Sequence, residues 1–174
     1  MRSADLGLVI VLAAFAQPAL AAKLKFSGVT AKTAGPNARA LDCKDLKPSN
    51  YPTCKLARTS FDNVQIVSSR VNLNPQTMRV WSVILRFNKM DDSAAVAALT
   101  AKYGAPTKDT ETPAVTRHHG TPYISRIAVW DSFDNGRVVR YLGQGDSYVS
   151  IYFPKNMTAS ELAKETQRIG FGEH

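Results

Sequence analysis

The sequence predicts a two-layer α+β domain: an antiparallel sheet of about five strands in the order β-β-α-β-β-β-α, with both helices on one face. Three observations carry this expectation. Apolar residues alternate in five stretches. Two stretches switch to helical spacing, and short turn signals such as Asp134-Asn135-Gly136 join neighbouring strands. Hairpin connections of that length pair strands antiparallel, and a sheet with one apolar face needs a second layer to cover it.

In chain order, residues 1–21 come first and have the arrangement of a cleavable secretory signal. Met1-Arg2 opens it, the apolar run Leu6 to Ala16 follows, Gln17-Pro18 breaks that run, and Ala19-Leu20-Ala21 supplies an A-x-A cleavage site. The apolar run is shorter than the ~20 residues a bilayer-spanning helix needs. No cysteine stands near the cleavage site, which argues against a lipid anchor. The expected product is a single α+β domain, residues 22–174, that is periplasmic or secreted. No later segment is apolar enough to span a membrane.

Lys23 to Thr30 alternates weakly and is expected as a first extended segment. Residues 31–60, rich in Lys, Ala, Pro, Asn and Asp, are expected as a loop region with a helical turn near Ala38 to Leu41. This region holds the only two cysteines, Cys43 and Cys54. In an oxidising compartment such a pair is expected as a disulfide, closing a short loop for about 3 kcal/mol in the chain-entropy model. Two cysteines without nearby histidines do not make a zinc site. Their spacing also excludes a C-x-x-C redox pair.

Val64, Ile66, Val71 and Leu73 form the next extended run, and Asn74-Pro75-Gln76-Thr77 turns it. Trp81, Val83, Leu85 and Phe87 are expected on one face of the return strand, with Ser82, Ile84 and Arg86 on the other. Asp91 or Asp92 can cap a helix through Ala94 to Tyr103 whose apolar positions are Val96, Leu99 and Tyr103. Gly104 and Pro106 end it. Residues 107–122 are expected as a polar loop. Three strands follow, at 124–131, 137–142 and 147–153, with a turn at Gly143 to Asp146. Thr158-Ala159-Ser160-Glu161 is a capping box opening a last helix that ends at Gly170.

The whole chain has 22 Lys+Arg against 14 Asp+Glu, a net charge of +8. Removing residues 1–21 takes away one charge of each sign, so the mature part stays basic. That charge favours anionic partners, and export directs them away from intracellular nucleic acid. If one sheet face packs on the helices, the other is expected to present Arg86, Arg126, Trp130, Arg140, Tyr148, Ser150 and Tyr152. Arginines among aromatic rings hold carboxylates or phosphates bidentately and stack on flat groups. A second candidate surface is the disulfide loop with Tyr51. A third, catalytic candidate is His118 and His119, with Asp109 and Glu111 upstream, as a general base or metal ligands. Adjacent histidines on an extended chain point apart, and no G-x-S-x-G or H-E-x-x-H motif is present. Asn156-Met157-Thr158 matches the N-glycosylation pattern, a motif frequent by chance.

The stretch Leu99-Thr100-Ala101-Lys102-Tyr103-Gly104-Ala105-Pro106, followed by a strand with Trp130, resembles small exported bacterial domains of unknown function, in which a helix ends in K-Y-G-x-P and antiparallel strands follow. The order is also similar to the helix-then-strands units of outer-membrane assembly accessories and β-lactamase inhibitory proteins. No site residues carry over from either resemblance.

The reading is an exported binding or interaction module for a protein partner or an anionic envelope component. Its site residues are Arg86, Arg126, Arg140, Tyr148, Tyr152 and Tyr51, it has no cofactor, and its disulfide joins Cys43 and Cys54. The alternative is a small hydrolase or metal-dependent enzyme using His118 and His119.

Overall fold

Residues 23–35, 38–43, 52–115, 122–143 and 145–169 are described by a computed structural model. The chain first forms a two-stranded hairpin, β1 (Lys25–Phe26) and β2 (Val29–Thr30). Ser27 and Gly28 both have positive φ, +46° and +85°. That is the backbone a tight hairpin needs to match strand twist. The expected single extended segment at 23–30 is therefore folded back on itself. β3 (Leu41–Asp42) and β4 (Thr53–Leu56) come next, inside the region expected as loop, and the Cys43–Cys54 disulfide ties them together. A turn closed by Leu41 N–H to Ala38 O stands where a helical turn was expected.

β5 (Ser60–Phe61) and β6 (Val64–Gln65) form a second small hairpin, turned by Asp62 and Asn63, again at positive φ. β7 (Ser68–Leu73) and β8 (Val80–Asn88) are joined through Asn74, whose side-chain oxygen accepts from the Gln76 and Thr77 amides. Helix α1 (Asp92–Tyr103) follows. β9 (Lys108–Val115), β10 (Pro122–Phe133), β11 (Gly136–Leu142) and β12 (Asp146–Tyr152) lead to α2 (Ala159–Ile169).

The main sheet is antiparallel and has eight strands, in the order β3-β4-β7-β8-β12-β11-β10-β9. The α+β class holds, and the sheet is larger than the five strands expected. The difference has two sources. β9 lies in the supposed polar loop: Lys108, Asp109, Thr110 and Glu111 pair along β10 in spite of their polarity. They can do so because an edge strand with Pro113 and charged side chains resists further pairing. The ends of the disulfide loop supply β3 and β4.

One sheet face, the helix face, carries the core. Val83, Leu85 and Phe87 of β8, Val149 and Ile151 of β12, Val138 of β11 and Trp130 of β10 pack with Ala95 and Leu99 of α1 and with Phe26, Val29, Phe61 and Val64 of the small hairpins. Leu99 and Trp130 are fully buried, and burying each large apolar side chain contributes roughly 1.5–3 kcal/mol. α1 ends as expected at Gly104, whose φ is +82° and whose carbonyl accepts the Trp130 indole N–H at 2.8 Å. No side chain caps the start of α1.

The expectation that both helices cover one face is corrected. α2 is tied to the opposite face, where the Tyr152 hydroxyl donates to Glu165 at 3.1 Å. Met157, just before α2, packs with Val129, Val139 and Tyr152. The capping box is formed: Glu161 accepts from Thr158 N–H and Oγ1, both at 2.9 Å, and Glu161 N–H donates to Thr158 Oγ1. Trp81 is also corrected. A register shift between Asn72 and Leu73 leaves it opposite no residue of β7, and it joins the Val129, Val139 and Tyr152 cluster and not the core of Val83 and Leu85.

Candidate functional site

The face opposite α1, here the groove face, is built by strand register. Cross-strand partners on one face form rows across a sheet. One row runs Ile127, Tyr141, Tyr148, Arg86 and Ser68. The next runs Val129, Val139, Ser150, Ile84 and Arg70, and Lys55 with Asp42 opposite it lines the same pocket as Arg70. A third runs Arg137, Tyr152, Ser82, Asn72 and Thr53. The β10–β12 side is thus apolar and aromatic, and the β8–β4 side is polar and cationic.

Two depressions occupy this face. An apolar trench of about 480 Å³ is lined by Ile84, Ile127, Val139, Tyr141, Tyr148, Ser150 and Tyr152. Its floor is made of short side chains: Val139 is 4% exposed and Ser150 5%. Beside it a polar pocket of about 550 Å³ is lined by residues including Asp42, Lys55, Ser68, Arg70 and Arg86. Ile84 and Tyr148 belong to both, so the two are continuous. Each has the size of an ordinary small-molecule site. Gly143 lets the Tyr141 ring lie back over the backbone, since a Cβ there would sit 3.2 Å from the ring edge.

Of the residues expected on this face, Arg86, Tyr148, Ser150 and Tyr152 are present together. Arg126, Trp130 and Arg140 are not; all three belong to the helix face. Arg140 is buried, at 2% exposure, and makes a bidentate ion pair with Asp92, the first residue of α1. Ser147 Oγ donates to the same carboxylate at 2.6 Å. Arg126 pairs along the strand register with Asp109 at 2.7 Å and Glu111 at 3.2 Å. Its hydrogen bonds hold the Asp109 carboxyl below its ordinary pKa, and Asp109 raises that of Arg126 in return. The physical cause of the misplacement is that period two sorts each strand into two sets without saying which set faces the helices. A buried arginine also needs a partner, Asp92, that lies far away in sequence. Ile127, Ile84 and Tyr141 are trench residues the sequence reading did not single out. Tyr141 was legible from its alternation with Arg140, had the face of Arg140 been known.

Tyr51, His118 and His119 lie outside the described residues. Among the described residues, no group of three or more His, Cys, Asp or Glu side chains is placed to hold a metal ion, and no described helix is long and apolar enough to cross a membrane. Asn156 is no glycan acceptor: it is buried, and its amide donates to Ala31 O and Val80 O, both at 2.7 Å. Tyr103 is likewise structural. Its hydroxyl donates to Lys25 O, and burial, aided by the Asp62 charge, raises its pKa. Comparison of the chain with protein-family models, curated proteins and solved structures gives no match.

Proposed function

We propose that this protein is an exported binding module whose ligand seat is the groove face, and that the ligand is an anionic envelope component. The observation that carries the reading is the continuity of the tyrosine-walled trench with the pocket of Arg70, Arg86 and Lys55. A rigid sheet presents these groups, so little conformational entropy is lost on binding. Arginine donors meet carboxylate or phosphate oxygens in a fixed fork. The basic balance of the chain adds long-range attraction for an anionic surface. The signal-like residues 1–21 support export.

The test uses the oxidised chain 22–174 and vesicles of phosphatidylglycerol in phosphatidylcholine. Co-sedimentation is expected with the anionic vesicles at low salt, and not with phosphatidylcholine alone. The double variant Arg70→Gln, Arg86→Gln is expected to weaken it about tenfold or more, the effect of losing charge-assisted hydrogen bonds. Equal capture of the variant at low salt would refute the groove-face reading. Export is checked by mass spectrometry of the protein recovered from the envelope fraction, which is expected to begin at residue 22 or 23.

A further inference from the structure

Resting on that reading of the groove face, we propose that its ligand is a single-chain anionic amphiphile. The alkyl chain lies across β10, β11 and β12, and the carboxylate or phosphate head is held by Arg86 and Arg70.

Along the trench and the pocket beside it polarity changes across the strands, while Arg137, in the third row on β11, is paired with Asp131. From Ile127 on β10 to Ile84 on β8 the rows offer apolar and aromatic contact over three strand spacings, about 14 Å. One spacing beyond Ile84 stands Arg70, and Arg86 neighbours Ile84 on β8 itself. A ligand that follows the trench therefore moves from apolar to cationic surroundings once, as an amphiphile does.

The cross-section argues for one chain. Val139 and Ser150 form a low floor in the middle row, with Tyr141 and Tyr148 standing in the row on one side and Tyr152 in the row on the other. Side chains two residues apart on a strand are separated by roughly 7 Å, so the floor is one row wide. Tyr152 is fully buried and bonded to Glu165 of α2, which closes that side. Charge complementarity selects the head group. Asp42 stands across from Lys55, and the arginines lie between it and the trench. An anion meets Arg86 and Arg70 before it reaches the acid.

Isothermal titration calorimetry on the oxidised chain 22–174 tests this with three probes below their micellar concentrations: dodecanoate, lauroyl lysophosphatidate and neutral dodecyl maltoside. Both anions are expected to bind, and the tighter of them identifies a fatty-acid or a phospholipid-type head. Arg70→Gln with Arg86→Gln is expected to weaken both at least about tenfold while leaving any dodecyl maltoside binding unchanged. Ser150→Phe, which fills the floor, is expected to abolish binding of all three. Ile127→Asp at the trench rim serves the same purpose if Ser150→Phe does not melt cooperatively. Alkyl probes that give no heat, or that bind equally to the trench variants, would overturn the proposal. In that case, Arg86-dependent capture by anionic vesicles would leave the binding-module reading standing, and loss of both would remove both. Self-association through this face, abolished by Ile127→Asp and accompanied by silent alkyl probes, would also overturn it in favour of a second copy of the chain.

Discussion

Arg140 is the residue whose environment departs furthest from its type. It is buried beneath α1, and Asp92 and Ser147 complete its shell. A buried ion pair adds little net stability over an apolar pair of the same shape, but removing one partner leaves a charge without compensation and costs about 3–5 kcal/mol. Asp92→Ala is therefore expected to lower unfolding free energy by an amount of that order. Arg140→Leu in the same chain is expected to recover part of it, which chemical denaturation of the single and double variants would measure. Asn156 plays a comparable part in neutral form. It bonds the carbonyls of Ala31 and Val80, and its own carbonyl accepts from Asn74. Asn156→Ala leaves two buried carbonyls short of a donor, at about 1–3 kcal/mol each as an upper range, read by the same titration. Neither role was legible in the sequence. Both depend on contacts between residues tens of positions apart, and an arginine on an alternating strand reads as outward-facing until its acid is located.

At the scale of elements, features set by local chemistry were legible and those set by long-range pairing were not. Gly104 ends α1 because the backbone there needs positive φ, and the Thr158–Glu161 box opens α2 because the two side chains satisfy each other's amides. Thr158→Ala is expected to cost about 1 kcal/mol, seen as a lower helical signal and a lower melting temperature. The disulfide was legible because the signal-like residues 1–21 raise the expectation of an oxidising compartment, in which a pair of cysteines is expected to bond. Its role is to tie β3 to β4 at the sheet edge, where each strand alone is short. Reduction is expected to remove about 3 kcal/mol in the chain-entropy model, measurable as the difference in denaturation midpoint with and without reductant. β9 and the displaced Trp81 escaped because their causes are not local. A polar segment becomes a strand when β10 offers a free edge, and one extra residue in β8 moves an aromatic ring to the other face.

For the whole molecule, charged side chains have two roles, in ion pairs within the fold and in the proposed ligand seat. Two ion clusters lie on the helix face, the buried pair of Arg140 with Asp92 and the exposed one of Arg126 with Asp109 and Glu111. On the groove face Arg137 pairs with Asp131, and Arg70 and Arg86 are the cations of the proposed ligand seat. Acid should separate these roles. Asp109 has its pKa lowered, chiefly by the Arg126 hydrogen bond, so its contribution is fully present above the unfolded value of about 3.9. It fades as pH falls through the lower folded value. Both side chains are more than a third exposed, 43% for Arg126 and 35% for Asp109. Solvent screening therefore limits the pair to about 0.2–1 kcal/mol. Asp109→Asn is expected to reduce stability by no more than that at neutral pH, to make the acid limb below about pH 4 shallower, and to lose its effect in high salt. Vesicle capture should behave differently over the same range. Binding is expected to hold until the ligand's own anionic group is protonated. A parallel fall of stability and capture in Asp109→Asn, at a pH where the vesicle lipid remains ionised, would show that the two faces are coupled.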